Sequence, residues 1–434
     1  MKILSVTAGA ANMYCGSCLR DNALARELMA QGHDVILLPL YTPTRTEDRN
    51  VSEGRVFFGG ISIFLQQKSA LFRATPKFLD WLWDRPFLIR FFSGRGVQVD
   101  PASLGELTVS ILEGRDGRQR KEVDALVEWL RHEPKPDVIA LPFTLLISLA
   151  KPLREASGSA IVCTLQGEEL FLEGLPEPWR GRALELIRSC VADVDAFLAM
   201  SNASAVQMSR YLRIPREKIH VTPLGIPLDG LSPADRTGAS PRVVGFLGRI
   251  APEKGLALLA DAYRLLRGRS DVGPLRMEAA GYMAPENRGY LADVEAKFRA
   301  WGWADEFQYR GELSREGKAE FLRSIDVFSL PCTYDEPKGL PVLEAMACGV
   351  PVVQPRRGSF PEMVESTGGG LLVNPDSAEA LADGLQAVLR DRVFAARLGS
   401  AGSEAVRRGF GVEHMAWRTL KVYESARRIM DRNG

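Results

Sequence analysis

Short apolar runs alternate along the chain with stretches whose apolar residues recur three and four apart, a pattern of strands and helices in turn. Residues 3–8 form the first run, Ala23 to Met29 carry Leu24 and Leu28 four apart, and Asp34-Val35-Ile36-Leu37-Leu38 follows the turn Gln31-Gly32-His33. Strand, glycine-bearing loop, helix and strand make a βαβ unit, which predicts a parallel sheet buried on both faces. Further strands are predicted at 137–141, 160–164 and 196–200, with helical patterns between them. The first half is thus predicted to be a doubly wound α/β domain.

Two segments break the rhythm. From about 42 to 120 the alternation gives way to a stretch rich in aromatics and arginine, as in Phe78-Leu79-Asp80-Trp81-Leu82-Trp83. The simpler reading is an inserted helical subdomain whose aromatics pack on the body of the domain. The functional alternative is an acceptor lid, or a surface in the 57–95 region that touches a membrane peripherally through its apolar face and Lys68, Arg73, Lys77, Arg85, Arg90 and Arg95. The second break, Pro223-Leu224-Gly225-Ile226-Pro227 and the polar, Pro- and Gly-bearing stretch to Pro241, is a linker.

The pattern then restarts. Strands are predicted at 242–248, 275–280, 307–310, 327–330 and 351–354, and a helix from Leu256 to Leu266. The expected organisation is a domain over 1–225, a second α/β domain over 240–410, and an amphipathic C-terminal helix within 411–434 that packs back on the first.

The 434 residues suit two or three domains, and 46% hydrophobic with 25% charged residues is the composition of a folded globular chain. Fifty-five basic against 54 acidic residues leave a formal charge of +1, which offers no global field for nucleic acid, so electrostatic function must be local. The apolar stretch at Met1 to Val6 is too short for a signal peptide, and no run of eighteen apolar residues appears, so a cytoplasmic location is expected, at most peripheral at the inner membrane face.

Four of the six cysteines, 163, 190, 332 and 348, lie in apolar surroundings suited to buried thiols. Cys15 and Cys18 have the spacing of a dithiol redox motif after a strand, which keeps an oxidoreductase as an alternative function. Asp193-Val194-Asp195 has the spelling of a metal-dependent sugar-transfer motif, but its place just before a strand suits a helix end with a surface charge, and no metal site is assigned.

Two constellations carry chemistry. Gly339-Leu340-Pro341-Val342-Leu343-Glu344-Ala345-Met346-Ala347 is punctuated as a short helix, with proline in its first turn and Gly349 after its last. Gly339 would let a phosphate approach backbone N–H groups at the positive end of the helix dipole. Glu336 and Glu344 flank that point, and carboxylates beside a phosphate cradle suit a ligand that is part phosphate and part sugar. The second constellation is Gly248-Arg249-Ile250-Ala251-Pro252-Glu253-Lys254-Gly255, at the end of a strand where open α/β sheets bind ligands. There Arg249 and Lys254 can neutralise a departing diphosphate.

With these residues in place, the chain resembles glycosyltransferase family 4, the retaining enzymes of GT-B fold. The resemblance spans most of the chain and rests on the E-x7-E pattern from Glu336 to Glu344, the basic pair Arg249 and Lys254, the glycine turn Gly225-Ile226-Pro227, and Tyr309-Arg310-Gly311-Glu312-Leu313-Ser314. It implies two Rossmann-like domains facing a cleft, donor bound mainly to the second and acceptor to the first. It places ribose on Glu344, the transferred sugar on Glu336, and diphosphate on Arg249 and Lys254 with Gly248. Gly311, Glu312 and Leu313 would meet the base, Gly339 and Leu340 the donor, and Gly16 the donor phosphates. No metal or other cofactor is implied beyond the nucleotide-diphosphate-sugar. Many members of the family carry a histidine after the strand that ends near Thr164, where this chain has Gln166, Gly167, Glu168 and Glu169; Gln166 can hydrogen-bond an acceptor but cannot act as a base. A non-catalytic sugar-nucleotide binding protein is the remaining alternative.

Overall fold

Among the described residues, the strands form two six-stranded sheets in which every recorded pairing is parallel. The computed structural model describes residues 1–9, 16–42, 49–53, 101–234 and 241–433. It divides into two units, Met1–Thr222 with Ala416–Gly434, and Pro223–Met415.

In the first unit the strands β1 (Lys2–Thr7), β2 (Asp34–Pro39), β3 (Val138–Leu141), β4 (Ala160–Thr164), β5 (Ala196–Ala199) and β6 (Ile219–Val221) take the order β2-β1-β3-β4-β5-β6. All four residues of β3 and all five of β4 are buried, as strands covered on both faces by helices must be. One face packs a core of Leu4, Val6, Ile139, Leu141, Ile161 and Cys163 against the helices. Val109 and Leu112 of the helix Pro101–Leu112 belong to that same core, so the stretch from 101 is part of the main helical layer. The aromatic and basic segment at 57–95 lies outside the described residues. No helix among the described residues is long and apolar enough to cross a membrane.

The second unit holds β7 (Arg242–Leu247), β8 (Leu275–Ala280), β9 (Phe307–Tyr309), β10 (Val327–Phe328), β11 (Val352–Pro355) and β12 (Gly370–Val373) in the order β12-β11-β10-β7-β8-β9. The chain runs outwards from β7 in one direction and from β10 in the other, so β7 and β10 flank the topological switch point. In an open α/β sheet a ligand crevice forms there, at the carboxyl ends of the strands. Within this unit the linker is pinned to the segment after the helix Arg392–Gly409: Ile226 N–H donates to Phe410 C=O at 2.9 Å, and Val412 N–H to Ile226 C=O at 3.0 Å. The final helix, Val412–Asn433, passes into the first unit, where Tyr423 is buried and Arg427 pairs with Asp137 at 3.1 Å.

Candidate active site

The loops after β7 and β10 meet at the switch point. Thr333 N–H donates to Glu253 C=O at 2.9 Å, and the short 3-10 turn Pro252–Lys254 presents Lys254 towards the β10 loop. Lys254 Nζ donates to a carboxylate oxygen of Glu336, 82 residues away, and to the Tyr334 hydroxyl. The ammonium also lies 4.9 Å from the centre of the Tyr334 ring. Tyr334 donates its O–H to that same Glu336 oxygen. Both charges are largely withdrawn from solvent, with side chains 15% and 7% exposed, so each depends on the other.

The second oxygen of Glu336 accepts from the backbone N–H of Lys338 at 3.0 Å and of Gly339 at 3.4 Å. The carboxylate thus occupies the loop N–H groups that the sequence offered to a phosphate. Gly339 is the N-cap of the helix Leu340–Ala347 at φ 63°, a left-handed conformation that glycine takes without strain. The N–H groups of Val342 and Leu343 turn back to Gly339 C=O at 3.0 and 3.3 Å, so the helix starts tightly on this glycine. Across the loop, Gly358 has φ 58°, and a Cβ there would lie 2.5 Å from Glu336 N. Ser359 N–H donates to Glu336 C=O at 2.8 Å, so the β11 loop clamps the backbone of Glu336 as its carboxylate is clamped by Lys254.

Burial opposes ionisation of Glu336, but the charge and hydrogen bond of Lys254, with the Tyr334 hydroxyl and the Lys338 charge, outweigh it and hold the carboxyl down at about 2. Burial and the Glu336 charge push the Tyr334 phenol well up, with Arg249 opposing, so Tyr334 stays a neutral donor. Burial also raises the Cys332 thiol, whose sulfur lies 4.0 Å from Glu336. Because the folded-state value of Glu336 lies below its ordinary 4.5, its ionised form stabilises the fold above that pH and loses the contribution as pH falls towards 2. In urea denaturation, the stability gap between wild type and Glu336→Gln is expected to stay level from about pH 7 to about pH 4.5 and then to narrow. A gap that already closes near neutral pH contradicts the pairing.

Arg249 stands beside this cluster, half exposed and bonded to Glu253 four residues on. Glu344, on the helix Leu340–Ala347, accepts from Lys318 Nζ at 2.6 Å, and both side chains are mostly buried. Gly248, Gly311, Glu312 and Leu313 lie along the β7 and β9 ends: Gly248 N–H donates to Ala280 C=O at 3.0 Å, and Gly281 N–H to Gly311 C=O at 2.8 Å. Lys254 and Glu336 are therefore in direct contact, whereas Arg249 and Glu344 each have another partner. Tyr334 and Lys318 escaped the sequence reading. Tyr334 could have been found as the aromatic two residues before Glu336; nothing local marks Lys318.

In the first unit, Glu168 accepts from Thr144 N–H at 2.8 Å and its hydroxyl at 3.1 Å, while its other oxygen accepts from Gln166 N–H at 2.7 Å. Glu168 therefore ties the β3 and β4 loops together. Gln166 donates through Nε2 to Pro142 C=O at 2.7 Å, and its Oε1 is buried without a partner among the described residues. Glu169 follows on the same helix, Glu168–Glu173, half-buried. Gly16 opens the helix Gly16–Ala30, whose Arg20 and Asp21 form a buried ion pair at 2.9 Å, with Arg20 reaching Thr164 at 3.4 Å. Sequence reasoning took neither residue as part of the structure's buried polar set. Cys18 is fully buried, the environment of an inert thiol, and Cys15 lies outside the described residues. Asp195 accepts from Ile161 N–H at 2.7 Å and Arg154 at 2.8 Å, and no cluster of three metal-ligating side chains occurs among the described residues.

Residues 21–225 match the family described as Glycosyl transferase 4-like domain, and residues 234–405 match Glycosyl transferases group 1. The chain belongs to the group 1 glycosyl transferases of family 4, with the GT-B fold. A phosphatidyl-myo-inositol mannosyltransferase of Mycobacterium leprae (strain TN) is 33% identical over 218 residues, which are 47% of this chain and 52% of that protein. A lipopolysaccharide core biosynthesis mannosyltransferase of Rhizobium meliloti (strain 1021) is 30% identical over 54% of this chain and 67% of its own length. The chain spans little more than half the length of the curated relatives first matched. Among solved structures, an Anabaena protein in complex with UDP shares the fold with a TM-score of 0.69 at 18% identity, over 98% of this chain and all of that one.

Proposed function

We propose that this chain is a retaining, metal-independent glycosyltransferase that moves a sugar from a nucleotide-diphosphate-sugar, held by the second unit, to an acceptor recognised by the first. The observation that carries the reading is the Lys254–Tyr334–Glu336 cluster at the β7/β10 switch point, beside Arg249 and one helix from Glu344. A lysine ammonium has three N–H donors and two are engaged here, so Lys254 can keep Glu336 in place while giving the third to a phosphate oxygen. Arg249, more exposed and held by Glu253, supplies the second positive charge.

In this mechanism the acceptor hydroxyl attacks the anomeric carbon on the face from which the diphosphate leaves. The carbon–oxygen bond to the diphosphate breaks, a new one forms to the acceptor, and the departing phosphate oxygen takes the hydroxyl proton. Arg249 and Lys254 stabilise charge that grows on the diphosphate as the bond breaks, the kind of contact that accelerates the chemical step. Glu336, ionised and fixed on both oxygens, accepts from sugar hydroxyls, and Glu344 from the ribose. Acceptor recognition is assigned to the loop bearing Gln166, with Glu168 as the brace of that loop.

The nucleotide reading is supported by a structural neighbour, the Anabaena protein, which was solved with UDP. Incubation with UDP-, GDP- and ADP-sugars should release one nucleoside diphosphate, and proton NMR of the product should show the anomeric configuration of the donor. An inverted product overturns the retaining assignment. Saturable nucleotide-sugar binding without product across a broad acceptor panel points instead to a binding protein.

A further inference from the structure

The donor-site residues of the second unit lie at the carboxyl ends of its strands. At the amino ends the unit has a half-open cavity of about 570 Å³, bordered by Arg242 at the start of β7 and Asp326 just before β10. That volume is within the roughly 300–1,000 Å³ of small-molecule sites. Its longest wall is one face of the helix Arg392–Gly409, where the small side chains of Ala395 and Ala396 leave room, and the buried Val388 and Leu389 border it at the end of the helix Ala378–Arg390.

Among the described residues, the charges that line this cavity are unbalanced. The guanidinium groups of Arg242 and Arg392 have no hydrogen-bond or ion-pair partner among the described residues. Arg407 donates to the carbonyl oxygens of Leu231 and of Ala347, the latter at 3.2 Å, so it is held in position by neutral acceptors that leave its charge uncompensated. Of the two lining carboxylates, Asp326 accepts from Val243 N–H at 2.7 Å and Glu404 from the Ser400 hydroxyl at 3.0 Å. Among the described residues, three guanidinium groups and two carboxylates, each carboxylate already accepting a hydrogen bond, therefore line the cavity.

We propose that this cavity is a second ligand site, separate from the donor site, that takes a small organic phosphate or carboxylate with an apolar body. The anionic group sits between Arg242 and Arg407, whose planar forks match carboxylate and phosphate oxygens, and the apolar body lies against Ala395 and Ala396.

Phenyl phosphate combines the two features and serves as the probe, titrated calorimetrically into the full chain, with benzoate as the carboxylate form and inorganic phosphate and benzyl alcohol as single-feature controls. One molecule of phenyl phosphate is expected to bind per chain, at least ten-fold more tightly than either control. Arg242→Ala, which removes a charge, and Ala396→Leu, which fills the space, should each weaken it at least ten-fold while thermal unfolding and nucleoside-diphosphate binding stay as in wild type. The proposal is overturned if neither phenyl phosphate nor benzoate binds at millimolar concentration, if both variants bind as wild type does, or if a nucleoside diphosphate displaces the probe.

Discussion

Lys254→Ala is expected to lower turnover at least ten-fold and also to destabilise the protein, and the two losses have separable causes. Removing the lysine leaves the Glu336 carboxylate buried without the ammonium that pairs with it, a situation that typically costs about 3–5 kcal/mol. In the proposed mechanism it also removes a cation from the place where charge develops on the leaving diphosphate, and one such contact is worth a few kcal/mol of transition-state stabilisation. The double variant Lys254→Met/Glu336→Gln separates them. With both charges gone, no uncompensated ion remains, so urea denaturation should recover most of the lost stability. Nucleoside-diphosphate release should stay at least ten-fold below wild type. Turnover that returns together with stability would make the pair a structural brace only.

Arg20→Ala is expected to cost about 3–5 kcal/mol in urea denaturation, the largest effect on stability predicted in the first unit. Arg20 and Asp21 are 6% and 3% exposed, and the substitution strips this guanidinium from a carboxylate inside the domain. It also removes the link from the helix Gly16–Ala30 to Thr164 at the end of β4. Arg20→Lys keeps the charge but loses the planar fork, and should recover part of the loss. A change below about 1 kcal/mol for Arg20→Ala, the size typical of an exposed pair, contradicts the buried role.

The same Arg20-Asp21-Asn22 triplet explains why the sequence was an incomplete guide to this helix. The apolar pattern marks only Ala23 to Met29, whereas the helix begins at Gly16, because its early turns bury polar side chains that carry no hydrophobic period. Interior strands such as β3 and β4 were legible as continuous apolar runs, since both faces are covered. The edge strands β6 and β12 were not: Ile219-His220-Val221 is three residues long with histidine at its centre, and Gly370–Val373 follows two glycines and is only half-buried. Spacing and residue type were enough to single out Arg249, Lys254, Glu336 and Glu344. The bond between Lys254 and Glu336 was invisible because it spans 82 residues and depends on β7 and β10 becoming neighbours. Lys318 was hidden for the same reason, since its contact with Glu344 joins two helices 26 residues apart in the chain. Pairing also altered the reading of Glu336, from a carboxylate beside open N–H groups to one that already engages them.

The central claim is that the second unit grips a nucleoside diphosphate through the residues gathered at the β7/β10 switch point. Calorimetric titration of UDP, GDP and ADP into wild type, Lys254→Ala and Glu344→Ala tests it most directly. One of the three nucleotides should bind wild type with one-to-one stoichiometry and bind each variant at least ten-fold more weakly, provided the variants remain folded by circular dichroism. Binding of equal strength in wild type and both folded variants, or no binding of any nucleotide to wild type, would contradict it.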